Sequence, residues 1–112
     1  MKMILAIVRS ECLEKLEKTL LKIGEKGFSV NKIQGMGELR EYGYIIFDLV
    51  SHIRIEIITS EDRVAKIKEA IVEAGWTGYA GDGLIAVLPV DEFTKIRNLK
   101  RPDPPQRKRT RK

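Results

Sequence analysis

The 112-residue chain has one cysteine, one histidine, one tryptophan and four prolines. A single cysteine, Cys12, excludes an intrachain disulfide, and with His52 the sole histidine there is no Cys/His cluster for a structural zinc. Cys12 falls near the start of a predicted helix, where the dipole could lower its pKa, but a small apolar packing residue is the commoner role. No apolar run approaches the roughly 18 residues that a membrane span requires. The opening Met1-Lys2-Met3-Ile4-Leu5-Ala6-Ile7-Val8 is too short for a signal peptide and lacks a cleavage site, so it reads as a core strand of a protein expected in the cytoplasm. Nothing pairs a nucleophile with a base, and Glu56 on a predicted strand reads as structural or ligand-binding, so no enzyme is expected.

Length allows one domain with a core, although a chain this short buries only about two thirds of its unfolded surface and gains from association. The formal net charge of +5 is unevenly placed. Of 21 basic and 16 acidic residues, seven basic and one acidic lie from Lys100 onward, which leaves 14 basic and 15 acidic in the first 99 residues. With Pro102, Pro104 and Pro105 and no apolar side chain after Leu99 other than proline, residues 100–112 are expected to form a disordered basic tail on a nearly neutral 1–99 domain.

Residues Thr77 to Gly83 read T-G-Y-A-G-D-G, between an amphipathic helical pattern and the apolar run Leu84 to Leu88. Glycine removes the Cβ that holds a ligand away and permits positive φ, so that consecutive N–H groups can converge on an anion. Gly78 after a helix end and Asp82-Gly83 as a turn pair are the simpler explanations. The motif is neither a Walker A loop nor a dinucleotide fingerprint.

The periodicity supplies the frame. A first strand runs to about Arg9. Ser10 is placed to cap a helix whose Leu13, Leu16, Leu20 and Ile23 share one face, before Gly24 and Gly27 end it. Phe28 to Gln34 is extended, Gly35-Met36-Gly37 interrupts, and Tyr44 to Thr59 returns as a β-rich stretch, so these two segments form a hairpin. Ser60 is placed to cap a second helix with inner face Val64, Ile67, Ile71 and Ala74, closed by Gly75. Leu84 to Leu88 follows as a strand stopped by Pro89, and Asp91 is placed to cap a short helix carrying Lys95 and Arg97. The order predicts an α+β, ferredoxin-like βαββαβ fold: a four-stranded antiparallel sheet with two helices on one face. Its bare face predicts an oligomer packed through sheets.

On these residues the chain resembles the PII nitrogen regulatory signal proteins from Met1 to about Arg97. The matching stretches are M-K-M-I-L-A-I-V-R, the G-M-G of Gly35 to Gly37, I-R-I-E-I at Ile53 to Ile57, T-G-Y-A-G-D-G, and V-L-P-V followed by K-I-R at Lys95 to Arg97. The resemblance implies a homotrimer that binds an adenine nucleotide (ATP, ADP or AMP) between subunits and regulates a partner protein, a transporter or an enzyme. It implies no prosthetic group. Gly35, Met36, Gly37, Gly81, Asp82 and Gly83 would cradle the phosphates, Lys95 and Arg97 would cross from the neighbouring chain, and Ile7, Ser29, Glu56 and Ile58 would surround adenine and ribose.

The chain departs from the family pattern in three ways. Leu84 replaces the lysine of the family's G-D-G-K, which implies weaker triphosphate binding or a less charged ligand. Leu39 and His52 replace a glutamine and a lysine of the family's magnesium and 2-oxoglutarate site, so 2-oxoglutarate sensing is not implied. Only Glu38 to Gly43 separate Gly37 from Tyr44, where the family carries a long T-loop with a modified tyrosine, and neither Tyr42 nor Tyr44 is carried over as that tyrosine. The competing expectation is a module binding nucleic acid or another anionic surface through the basic tail, which lacks an aromatic for base stacking. A divalent-cation-tolerance relative of the same trimeric fold is disfavoured by the shortage of His and Cys.

Overall fold

A computed structural model describes residues 1–33 and 51–99 of the chain. The G-M-G segment, Leu39, Tyr42, Tyr44 and the basic tail lie outside the described residues. Within them the elements run β1 (Lys2–Arg9), α1 (Leu13–Lys22), β2 (Ser29–Ile33), β3 (His52–Thr59), α2 (Val64–Gly75) and β4 (Leu84–Pro89). The four strands form one sheet in the order β2-β3-β1-β4, and every neighbouring pair is antiparallel. This is the ferredoxin-like arrangement that the element order predicted, with β2 and β3 pairing from Ser29↔Glu56 to Ile33↔His52.

β1 and β3 are the two central strands, and alternate residues of each serve opposite faces. Ile4, Ala6 and Val8 are buried beneath the helices together with Ile53, Ile55 and Ile57 of β3. Leu16 and Leu20 of α1 and Ile67, Ala70, Ile71 and Ala74 of α2 complete this core. Cys12 belongs to it as a packing residue, and burial, with Glu11 nearby, raises its thiol pKa rather than lowering it.

Both helices begin differently from the expectation. Each opens with a 3₁₀ turn, Ser10–Cys12 and Glu61–Arg63, and neither Ser10 nor Ser60 makes a side-chain capping bond. The Ser60 carbonyl instead accepts the Arg63 N–H at 3.1 Å. Ser10 is drawn to the sheet end, where its N–H donates to the Ser51 carbonyl and its hydroxyl accepts from that of Ser51. α1 ends as expected at Gly24, whose φ of 85° lets the Gly24 and Glu25 N–H groups return to Leu21 and Leu20. Pro89 is included in β4 as its last residue, paired opposite Lys2, rather than standing just beyond Leu88. Asp91 caps no helix. Residues 91–95 are irregular, and a 3₁₀ turn follows at Ile96–Asn98. The stretch is shorter than the roughly 12–15 residues that an unsupported helix needs, and its Phe93, Ile96 and Leu99 are exposed rather than packed on the sheet.

Candidate functional site

The face of the sheet away from the helices carries rows of side chains fixed by the strand register. One row runs Leu84–Ile7–Arg54–Asn31, the next Ala86–Leu5–Glu56–Ser29, and the third Leu88–Met3–Ile58. Ile7, Ser29, Glu56 and Ile58 therefore share this open face, with Ser29 directly opposite Glu56. Arg54, in the row beside Ile7, was not singled out from the sequence although the alternation of I-R-I-E-I placed it there. It pairs with Glu56 at 3.6 Å. The β1–β4 half of this face is apolar and only part covered, with Leu84 53% exposed.

The glycine loop closes over the end of β1. Gly78, Gly81 and Gly83 have φ of 89°, 98° and 111°, values that L-residues adopt at a cost. At Gly83 a Cβ would also collide with the Ile7 carbonyl. The loop thus brings Gly83 against Ile7 and Gly81 against the Arg9 guanidinium.

The Asp82 side chain is engaged within the loop itself. Its carboxylate accepts the Thr77 N–H at 2.7 Å, the Gly78 N–H at 2.9 Å and the Thr77 hydroxyl, and it meets Arg9 Nε at 3.5 Å. Partial burial opposes its ionisation, but the Thr77 hydroxyl, the two N–H groups and Arg9 outweigh that and lower its pKa. These bonds occupy Asp82 in holding the loop shut. Arg9, which sequence reasoning missed, donates through Nη2 to the Ala80 carbonyl at 2.7 Å. His52, buried opposite Arg9 across the β1–β3 pair, donates through Nε2 to the Gly81 carbonyl at 2.9 Å.

Lys95 and Arg97 are exposed on the segment after β4, and neither supplies any of the bonds that tie the glycine loop within the protomer. A crevice of about 240 Å³ lies on the helix side of the loop, lined by Ile71, Val72, Trp76 and Ile85. Its lining is mainly apolar, and Asp82 and Gly83 of the loop also border it. Among the described residues no group of three or more His, Cys, Asp or Glu is placed to hold a metal, and no helix is long and apolar enough to cross a membrane.

Residues 1–100 match the family model of Nitrogen regulatory protein P-II. The chain belongs to the P-II family. This P-II chain is 37% identical over 106 residues to the Nitrogen regulatory protein P-II of Pyropia yezoensis, covering 87% of the chain and 92% of the relative. It is 34% identical over 103 residues to that of Azospirillum brasilense, with the same coverage. The crystal structure of Arabidopsis thaliana PII bound to citrate superposes with a TM-score of 0.73 at 33% identity, over 87% of this chain and 83% of that one. P-II proteins are non-catalytic regulatory signal proteins that respond to small-molecule effectors and act on regulated partners.

Proposed function

We propose that this P-II protein binds an adenine nucleotide in clefts between the protomers of a homotrimer and reports its occupancy to a partner protein, a transporter or an enzyme. The observation that carries this reading is the glycine loop locked over Ile7 at the edge of an open, largely apolar sheet face. A loop tied by its own side-chain bonds presents its amides with little entropy left to lose. The uncovered apolar face calls for a second protomer, and a second protomer can bring Lys95 and Arg97 to a loop whose described bonds within the chain come from other residues. Gly35, Met36 and Gly37 complete the cradle in this reading, while Ile7, Ser29, Glu56 and Ile58 receive adenine and ribose. The binding domain is assigned to residues 1–99 and the basic tail to 100–112.

Leu84 offers no cation, so ADP or AMP competes well with ATP here. His52 is engaged with the loop carbonyl, and Leu39 has no metal-binding atom, so 2-oxoglutarate is not an expected ligand. Calorimetric titration with ATP, ADP, AMP and 2-oxoglutarate, with and without magnesium, tests the whole reading. Binding of at least one adenylate, with no 2-oxoglutarate response, supports it. No adenylate binding, or a monomer by sedimentation, defeats it. Salt-sensitive DNA binding lost on deleting residues 100–112, with no nucleotide response, would instead favour an anionic-surface module built on the tail.

A further inference from the structure

Two side chains from the sheet hold two successive carbonyls of the glycine loop. Arg9 Nη2 donates to the Ala80 carbonyl and His52 Nε2 donates to the Gly81 carbonyl. All described peptides are trans. In a planar trans peptide the C=O and the N–H point in opposite directions. The N–H of Gly81 and the N–H of Asp82 therefore point away from the ends of β1 and β3, side by side. Two consecutive amides turned the same way form the beginning of an anion nest. Arg9 is well suited to the task because its planar fork reaches Asp82 as well as Ala80, with only 15% of its side chain exposed.

We propose that Arg9 and His52 are positioning residues: they rotate the Ala80–Gly81 and Gly81–Asp82 peptides so that their N–H groups face the bound anion. The inference rests on the nucleotide reading for its ligand, but not for the loop geometry, which can be measured alone. Neither residue touches the ligand in this assignment. Their cationic or polar character matters through the carbonyls that they pin. At position 52 the requirement is for an N–H donor of the right reach, so glutamine should replace histidine and leucine should not.

Trp76 supplies the readout. It is the only tryptophan in the chain, and its ring lies against the loop, 3.3 Å from where a Cβ on Gly78 would stand. The full chain is compared with Arg9→Met, Arg9→Lys, His52→Leu and His52→Gln by Trp76 emission, by amide exchange of residues 77–83 without ligand, and by ADP titration. Arg9→Met and His52→Leu should shift Trp76 emission, speed loop exchange by about tenfold or more, and weaken ADP by about tenfold, the effect of one lost polar contact of this kind. His52→Gln should recover most of that loss, and Arg9→Lys part of it. Loop exchange and emission within about twofold of the parent in Arg9→Met and His52→Leu would overturn the proposal, as would equal behaviour of His52→Gln and His52→Leu. If Arg9→Met does not fold, the two His52 variants decide. Failure of the parent to bind any adenylate defeats the nucleotide reading alone, since the exchange data still decide whether the two residues set the loop.

Discussion

The glycine loop and the segment that follows β4 would form opposite walls of one binding cleft, and they are built in opposite ways. The loop is tied to its own protomer at Thr77, Gly78, Ala80, Gly81 and Asp82. The segment from Asp91 to Leu99 holds itself by a turn at Ile96–Asn98, exposes Phe93, Ile96 and Leu99, and leaves Lys95 and Arg97 in solvent. Ile96 is 86% exposed, and with Phe93 and Leu99 it leaves three apolar side chains of one short segment open to solvent or to another surface. One side is held within the chain, and in the proposed trimer the other would be completed by a neighbour. In the proposed trimer this difference would place the control of binding in assembly, because the loop is held by bonds within its own chain and the cations would come from the neighbouring one.

The largest test of this contrast is Gly83→Val. A Cβ there meets the Ile7 carbonyl, and φ of 111° adds strain that no rotamer relieves. Because that carbonyl lies in the central strand, the clash spreads into the β1–β4 pairing. A loss of about 3–5 kcal/mol in protomer stability is expected, combining backbone strain with overpacking. Denaturant unfolding measures it. A variant as stable as the parent would show that the loop is not locked as described.

The segment should respond in the reverse sense. Arg97→Ala, or Lys95→Ala, should leave unfolding of the protomer within about 0.5 kcal/mol of the parent, as exposed surface sites do. Nucleotide affinity should nevertheless fall by about tenfold to a hundredfold, the worth of a charge-assisted hydrogen bond to phosphate. Mixing Arg97→Ala chains with Gly81→Val chains sharpens the point, because a cleft that draws on two protomers recovers some intact sites in mixed trimers. No recovery would place both walls in one chain. Ile96→Ser is the next step down. It removes about 2 kcal/mol of burial per protomer if a neighbour covers the side chain, and almost nothing if solvent does. The concentration dependence of trimer dissociation separates the two.

How far the sequence carried this picture follows from which interactions are local. The strands and helices were legible because apolar residues recur at periods of two and 3.6, and because Gly24, Gly75 and the loop glycines mark the ends. The open-face members Ile7, Ser29, Glu56 and Ile58 came together because register fixes every second residue. Ser10 and Ser60 did not cap, since each helix is entered through a 3₁₀ turn whose backbone bonds do that work. Asp82 was read as part of a ligand cradle, and its bonds inside the loop were not visible. They depend on Arg9, 73 residues away in sequence, and on a turn closure that brings the carboxylate back to Thr77. Distant pairings of this kind leave no periodic trace.

The smallest expected effect comes from the carboxylate that closes the preorganised wall. Asp82 has its pKa lowered in the folded chain, by bonds to Thr77, Gly78 and Arg9 that prevail over its partial burial. The unfolded chain titrates near the ordinary value of about 3.9. A carboxylate whose folded pKa lies below its unfolded one contributes its full stabilisation above the unfolded value and loses it as pH falls through the folded value. The parent should therefore lose loop order only below about pH 4. Asp82→Asn keeps an acceptor but no charge, and the side chain is 20% exposed, so the cost at neutral pH should be about 1 kcal/mol. Amide exchange of residues 77–83 and Trp76 emission in Asp82→Asn at pH 7 should then match those of the parent in acid, and the variant's own profile should be flat across that range. A sloping profile in the variant would assign the acid response to another group, and unchanged loop exchange at pH 7 would mean that Arg9 and His52 hold the loop without the carboxylate.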